Sequence, residues 1–359
     1  MSDMSIRQVG PKSAKTSIAF AIKKKRPVFL WGPPGIGKSD IVAQIGADTS
    51  REVVDVRLAL WEPTDIKGIP YFDSNAGTMT WAPPAELPTD PKSTAILFLD
   101  ELNSAPPAVQ AAAYQLILNR KVGTYVLPDG VDIVAAGNRD GDKGVTYRMP
   151  APLANRFVHL EMKVDFEDWQ DWATLNGVHP EVVGYVGFAK QDLYDYDPKS
   201  PSKSFATPRS WSFVSDLVSD DEIDTESLTN LVSGAIGDGL AVKFMAHRKI
   251  ASKLPKPDDI LDGKVKDLEV KEVSAMYSLT VGLCYELKER ADKKVKEWDA
   301  MADRFFEYMM KNFPTELVVM GAKTALTNYD LPLDASKMKS FDEFHSRFGK
   351  YVMNAMETN

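Results

Sequence analysis

Through the first 160 residues, short apolar runs alternate with stretches of helical spacing. "PVFLW" (27–31), "EVVDVRL" (52–58), "AILFLD" (95–100), "VDIVAAGN" (131–138) and "FVHLEM" (157–162) read as strands. Near-continuous apolar strands separated by helices predict a five-stranded parallel sheet with helices on both faces. Between the third and fourth strands, "APPAVQAAAYQLILNRKVG" predicts a helix with Pro107 near its start and Gly123 beyond its end. "KVGTYVLPDG" then alternates like a short hairpin. Earlier, "GIPYFDSNAGTMTWAPP" (about 68–84) carries two short alternating runs around "DSNAG", a second hairpin signal.

From about residue 165 the strand signal fades. "DFEDWQDWATL", "SWSFVSDLV" and "SLTNLVSGAIGDGLAVKFMA" have helical spacing, with the polar loop "DLYDYDPKSPSKS" between them. Pro and Asp crowd again at "KLPKPDDILDGK" (253–264). These shifts divide the chain into an α/β core (1–164), a helical lid (165–252) and a helical C-terminal extension (253–359). In the extension, Val295, Trp298, Met301, Phe305 and Met309 form one helical stripe, which reads as a partner-binding face or, since Met fills gaps between helices, as core.

Composition narrows the class. The 359 residues are 44% hydrophobic and 26% charged, an ordinary globular balance. A single cysteine, Cys284, excludes a disulfide framework within the chain and fits a reducing cytoplasm. No apolar run approaches the length of a membrane span, and the N-terminus lacks the apolar stretch of a signal peptide. The formal charge of −8 opposes whole-surface attraction to nucleic acid. The dense basic cluster "KKKR" (23–26) reads as a basic address or nucleic-acid patch or, with its cations complementing the dipole, as the solvated end of a helix. The four histidines (159, 179, 247 and 345) have no metal-ligand spacing and read as structural.

Chemistry concentrates where the first strand becomes a helix. "GPPGIGKSD" sets Gly32, Gly35, Ile36, Gly37, Lys38, Ser39 and Asp40 in the pattern G-x-x-x-x-G-K-[ST]. Glycines let backbone N–H groups approach phosphate oxygens, and Lys38 brings a cation to the β- and γ-phosphates. The Ser39 hydroxyl can ligate Mg²⁺, and the following helix offers its positive end. One βα unit later, "ILFLDELN" ends a buried strand on Asp100 and Glu101. Asp100 can hold the Mg²⁺ shell beside Ser39, and Glu101 can polarise a water for in-line attack on the γ-phosphate.

Three more residues complete the candidate set. Asn138 closes the fourth strand, as a hydrogen-bond partner for water or phosphate or as plain turn chemistry. Arg156 precedes the fifth strand, a bland surface cation in a monomer but a trans-acting finger in a ring. In "FATPRSW", Thr207 is the expected N-cap and Pro208 the first helical residue, which fixes Arg209 in a helical first turn. Arg209 is either a group that closes on nucleotide or simply a helical arginine.

Together these motifs resemble the AAA+ ATPases, and within them the MoxR-like group with its CbbQ and NorQ relatives. "GPPGIGKS" is similar to Walker A, "ILFLDELN" to Walker B, Asn138 to sensor 1, Arg156 to the arginine finger and Arg209 to sensor 2. "EPTDIKG", "DELNSAPPAVQAA" and "APLANRF" resemble the group's finer marks, and the likeness spans about residues 25–250. Two departures stand out: Ser104 replaces the usual arginine after D-E-[IL]-N, and "GNRDGDK" replaces the usual T-Q-N-P around sensor 1. The resemblance implies an ASCE-type P-loop sheet, ATP and Mg²⁺ as cofactors, and a homo-oligomeric ring, commonly a hexamer. It also implies remodelling of a protein client, often through a von Willebrand A-type partner. A nucleic-acid motor on the same core is the alternative, and the presence of Glu101 argues against a non-hydrolysing switch. Within the insert hairpin, Tyr71, Phe72 and Trp81 either project towards a pore or are buried by the hairpin itself.

Overall fold

The computed structural model describes residues 6–139, 141–142 and 146–357. The chain forms two compact units, Met1–Asp165 with Asp197–Ser200, and Phe166–Tyr196 with Pro201–Asn359.

The first unit is built on a parallel sheet of six strands: β1 (Gln8–Val9), β2 (Val28–Trp31), β3 (Val53–Arg57), β4 (Ile96–Asp100), β5 (Asp132–Gly137) and β6 (Val158–Met162). Their spatial order is β1-β6-β2-β5-β4-β3, and every neighbouring pair is parallel. The five expected strands are all present. The sixth, β1, is a two-residue edge strand paired with Glu161 and Met162. The expected α/β class therefore holds, with one strand more than the apolar runs revealed.

Period-two alternation explains the two covered faces. Phe29, Leu97, Leu99, Ile133 and Ala135 share a core with Val109, Ala112, Ala113 and Leu116 of helix Pro107–Asn119. Val28, Leu30, Ile96, Phe98, Val134 and Ala136, on the alternate positions, are equally buried. Helices Pro11–Lys23 and Lys38–Asp48 pack against β5 and supply Ile18, Ile22, Ile41, Val42 and Ile45 as buried residues. The helix at Pro107 has proline at its first position and ends before Gly123, both as expected. Arg120 ends it in a left-handed conformation (φ 51°), and its guanidinium donates to the carbonyls of Pro128 and Val131. Gly123 (φ 58°) instead turns the hairpin Lys121–Val122/Tyr125–Val126.

The second hairpin, Ile69–Asp73 with Thr78–Ala82, is antiparallel and pairs Tyr71 with Thr80 and Phe72 with Met79. Ile69, Tyr71, Phe72 and Met79 are exposed. Trp81 is half-buried beside Gly123, and its carbonyl accepts from the Thr124 hydroxyl.

The second unit is helical. Tyr185, Trp211, Phe244 and His247 form an aromatic nest with ring centroids 5.5–5.7 Å apart for the pairs Tyr185–Trp211, Tyr185–His247 and Trp211–Phe244. Helix Val273–Asp292 runs against helix Pro180–Phe188 at Gly184, where a Cβ would fall 2.4 Å from the Ser278 backbone. Helix Trp298–Asn312 places Phe305 and Met309 of the expected stripe in a buried cluster with Trp298 packed against it; Met301 is buried as well, while Val295 precedes the helix.

Candidate functional site

The backbone of the loop after β2 is shaped by its glycines. Gly35 (φ 74°) and Gly37 (φ 91°) take left-handed conformations, which a Cβ would strain, and Gly37 is the N-cap of helix Lys38–Asp48. Gly32 is buried for a packing reason: a Cβ there would lie 2.6 Å from Ile36 Cδ1 and 3.0 Å from the Met162 carbonyl. Successive N–H groups turned by such conformations, opening onto a helix N-terminus, form an anion cradle. Ile36 is buried, Ser39 is half-buried and Asp40 is exposed in the helix's first turn.

Lys38 is buried at the rim of this cradle. Its ammonium donates to the carbonyls of Gly32 (2.7 Å) and Pro33 (2.9 Å) and to Asn138 Oδ1 (3.2 Å). The sheet order brings this about, because β2 lies beside β5 and the ends of both strands meet. β4 lies beside β5, and the Ser39 hydroxyl donates to Asp100 Oδ2 at 3.2 Å. Lys38, Ser39, Asp100 and Asn138, drawn from three separate segments, thus form one connected group.

Glu101 follows Asp100 in a left-handed conformation (φ 55°, ψ 32°), unusual for a residue with a Cβ. Its N–H donates to Asp100 Oδ1 at 2.9 Å. Backbone strain of this kind concentrates at functional sites. On the neighbouring strand, partial desolvation lifts the Asp55 carboxyl above its ordinary range; the Asp100 charge adds to the rise and Arg57 opposes it.

The structure brings Lys38, Ser39, Asp100, Glu101 and Asn138 together and leaves Arg156 apart. Val158 pairs with Val28 at the start of β2, whereas the loop follows Trp31 at its end. Arg156 is exposed at the opposite end of the sheet, about 20 Å along the strand direction at ~3.3 Å per residue. Arg209 lies in the second unit, exposed in the first turn of helix Pro208–Val218. Thr207 caps that helix by accepting from the Ser210 N–H, and the Ser210 hydroxyl accepts from the Thr207 N–H in return. In "GNRDGDK", Asp140 and Lys143 lie outside the described residues.

One contributor was not identified from the sequence, and another was read there only as structural. Asn103 is almost wholly buried between the ends of β4 and β5, and bonds both ways with the Asn138 backbone. The other is His159, whose Nδ1 accepts from the Trp31 indole (2.9 Å). Its Nε2 then carries the proton donated to the Ala154 carbonyl (2.7 Å). This strut ties the strand before the loop to the turn before Arg156. An asparagine within a strand-end run and a lone histidine on a strand give no spacing signal; only the sheet order reveals them.

The donor set fits a magnesium–nucleotide complex. Ser39 and Asp100 supply two oxygens, and Mg²⁺ characteristically takes its remaining ligands from phosphate and water. Among the described residues no group of three or more His, Cys, Asp or Glu side chains could hold a metal by itself. Among them, too, no helix is long and apolar enough to cross a membrane.

Residues 27–157 match the family profile of the AAA domain (dynein-related subfamily). Midasin of Giardia intestinalis is 28% identical over 192 residues, covering 51% of this chain but only 4% of midasin's length. Among solved structures, the Thermotoga maritima RuvB Holliday junction branch migration motor is 17% identical at a TM-score of 0.36, with 84% of this chain and 86% of that one covered. Brucella abortus NtrX in complex with ADP is 15% identical at a TM-score of 0.40, with 84% and 70% covered.

Proposed function

We propose that this chain, whose residues 27–157 carry an AAA domain, is a ring-forming, Mg-dependent ATPase of MoxR-like type that remodels a protein client. The observation that carries the ATPase reading is the junction of Lys38, Ser39, Asp100 and Asn138 beside the left-handed Glu101. In this reading Lys38 neutralises charge on the β- and γ-phosphates, and the cradle N–H groups orient them. Mg²⁺, held through Ser39 and Asp100, supplies charge neutralisation on the phosphates. Glu101 takes a proton from the attacking water, and Asn138 holds that water or the γ-phosphate in line.

Arg156 supports the ring. It is exposed and remote from its own Lys38, so a γ-phosphate it serves belongs to a neighbouring copy. Arg209 is assigned as the group on the lid that responds to nucleotide.

The protein client is supported by the hairpin Ile69–Ala82. It exposes Ile69, Tyr71, Phe72 and Met79 and contains no Lys or Arg. A nucleic-acid motor must neutralise several phosphates with cations, and this surface offers none. The test is ATP turnover with a reduced, alkylated unfolded polypeptide, and separately with single-stranded DNA, duplex DNA and RNA at low salt. Stimulation by polypeptide, lost in Tyr71→Ser and Phe72→Ser, is the expected outcome. Stimulation by nucleic acid alone, abolished by salt, establishes the motor instead.

A further inference from the structure

Asn103 does more than fill the space between two strand ends. Its Nδ2 donates to the Asn138 carbonyl at 2.7 Å, and its Oδ1 accepts from the Asn138 N–H at 3.2 Å. One side chain thereby satisfies both polar groups of one backbone residue. Its own carbonyl accepts from the Tyr147 N–H at 2.7 Å, anchoring the chain that returns after β5. Asn103 is only 1% exposed, so these bonds form away from competing water. Gly137 makes room for them, because a Cβ there would fall 2.1 Å from Asn103 Oδ1.

The bracket acts on a residue of the site. The Asn138 side chain accepts from Lys38 at 3.2 Å, and Asn103 itself stands two residues after Glu101. Its side chain therefore fixes the distance between the strand end that carries the acid pair and the strand end that carries the amide. We infer that Asn103 is a positioning residue for ATP hydrolysis, acting through Asn138 and not by touching substrate. The inference rests on the ATPase reading above.

The test is a double-mutant cycle on turnover. Asn103→Ala should lower kcat by about 10²-fold, the loss that a small misplacement of a reacting group produces, with KM for ATP within about 3-fold of wild type. Asn138→Ala should lower kcat to a similar level. In the Asn138→Ala background, Asn103→Ala should then cost less than about 3-fold more, since the group it positions is gone. A residue needed only for folding would instead multiply its loss onto that background, and that result overturns the proposal. Asn103→Asp serves if Asn103→Ala fails to fold. It keeps shape and acceptor but sets an oxygen against the Asn138 carbonyl, so kcat should fall at least ~10-fold. Wild-type kcat in Asn103→Asp overturns the proposal while leaving the ATPase reading intact. A wild-type chain that binds ATP without hydrolysing it overturns the ATPase reading and this proposal with it.

Discussion

Gly137→Ala is a change that strand chemistry alone would tolerate, since the residue lies within β5 and alanine suits an extended backbone. The surroundings forbid it. The added Cβ would stand 2.1 Å from Asn103 Oδ1, 2.8 Å from Asn103 Cγ and 2.8 Å from Phe29 Cζ, where carbon atoms normally approach to ~3.5 Å. Phe29 is fully buried and ringed by Trp31, Phe157 and His159, with centroids 4.2, 5.5 and 5.9 Å away, so it cannot retreat. Asn103 must move, and both bonds to Asn138 break. Overpacking costs about 1–3 kcal/mol. Leaving buried polar groups unpaired adds about 1–3 kcal/mol. We therefore expect a loss of roughly 4 kcal/mol from the first unit, or about 8–16 °C in its melting temperature. Thermal and urea unfolding followed by hydrogen exchange at β5 measure it. Gly234→Ala is the control: its Cβ meets nothing within 4 Å, and in the last turn of helix Thr225–Ile236 it should stabilise by at most ~0.5–1 kcal/mol. A loss below ~1 kcal/mol in Gly137→Ala would refute the close-packing argument.

Two further outcomes follow from the placement of single groups. Burial lowers the His247 pKa to about 4, so the folded second unit resists a proton that the unfolded chain accepts below pH ~6.5. Stability should be full above pH ~6.5 and decline towards pH ~4 by roughly 3 kcal/mol, with His179, lowered by burial and Arg248, adding to the slope; urea unfolding at pH 7 and 4.5 checks this, and His247→Gln should flatten it. Arg156→Ala should bind ATP normally yet hydrolyse up to ~10³-fold slower. Mixing it with Glu101→Gln should restore part of the activity, because one interface then joins an intact base to an intact finger. No rescue in rings shown to be mixed would place Arg156's action within its own chain.

Much of this molecule is legible in its sequence, for identifiable reasons. Strands β2, β4 and β5 announce themselves because a doubly covered parallel sheet demands apolar side chains on both faces, as in "AILFLD". The loop residues Gly32 to Ser39 announce themselves because phosphate chemistry needs those types in one contiguous run. β1 escapes notice because Gln8–Val9 is too short to alternate. The segment "SLTNLVSGAIGDGLAVKFMA" has continuous helical spacing, yet Gly237 (φ 89°) breaks it into Thr225–Ile236 and Asp238–Ala251. Val295 matches the stripe of Trp298–Asn312 but is cut off from that helix, since Lys294 and Glu297 both take left-handed conformations. Asn103 and the Trp31–His159 strut depend on which strands are neighbours, and strand order leaves no local mark. The same holds for Lys38 and Asn138, 100 residues apart in the chain and joined only by the pairing of β2 with β5.

In the proposed mechanism Glu101 is the base of an ATPase whose nucleotide is held by Lys38 and Ser39. The most direct measurement sets ATP affinity beside steady-state phosphate release for wild type, Lys38→Ala and Glu101→Gln. We expect Lys38→Ala to lose nucleotide binding. Glu101→Gln should bind ATP as wild type does and release phosphate at least ~10²-fold more slowly. Near wild-type phosphate release from Glu101→Gln would rule out Glu101 as the base.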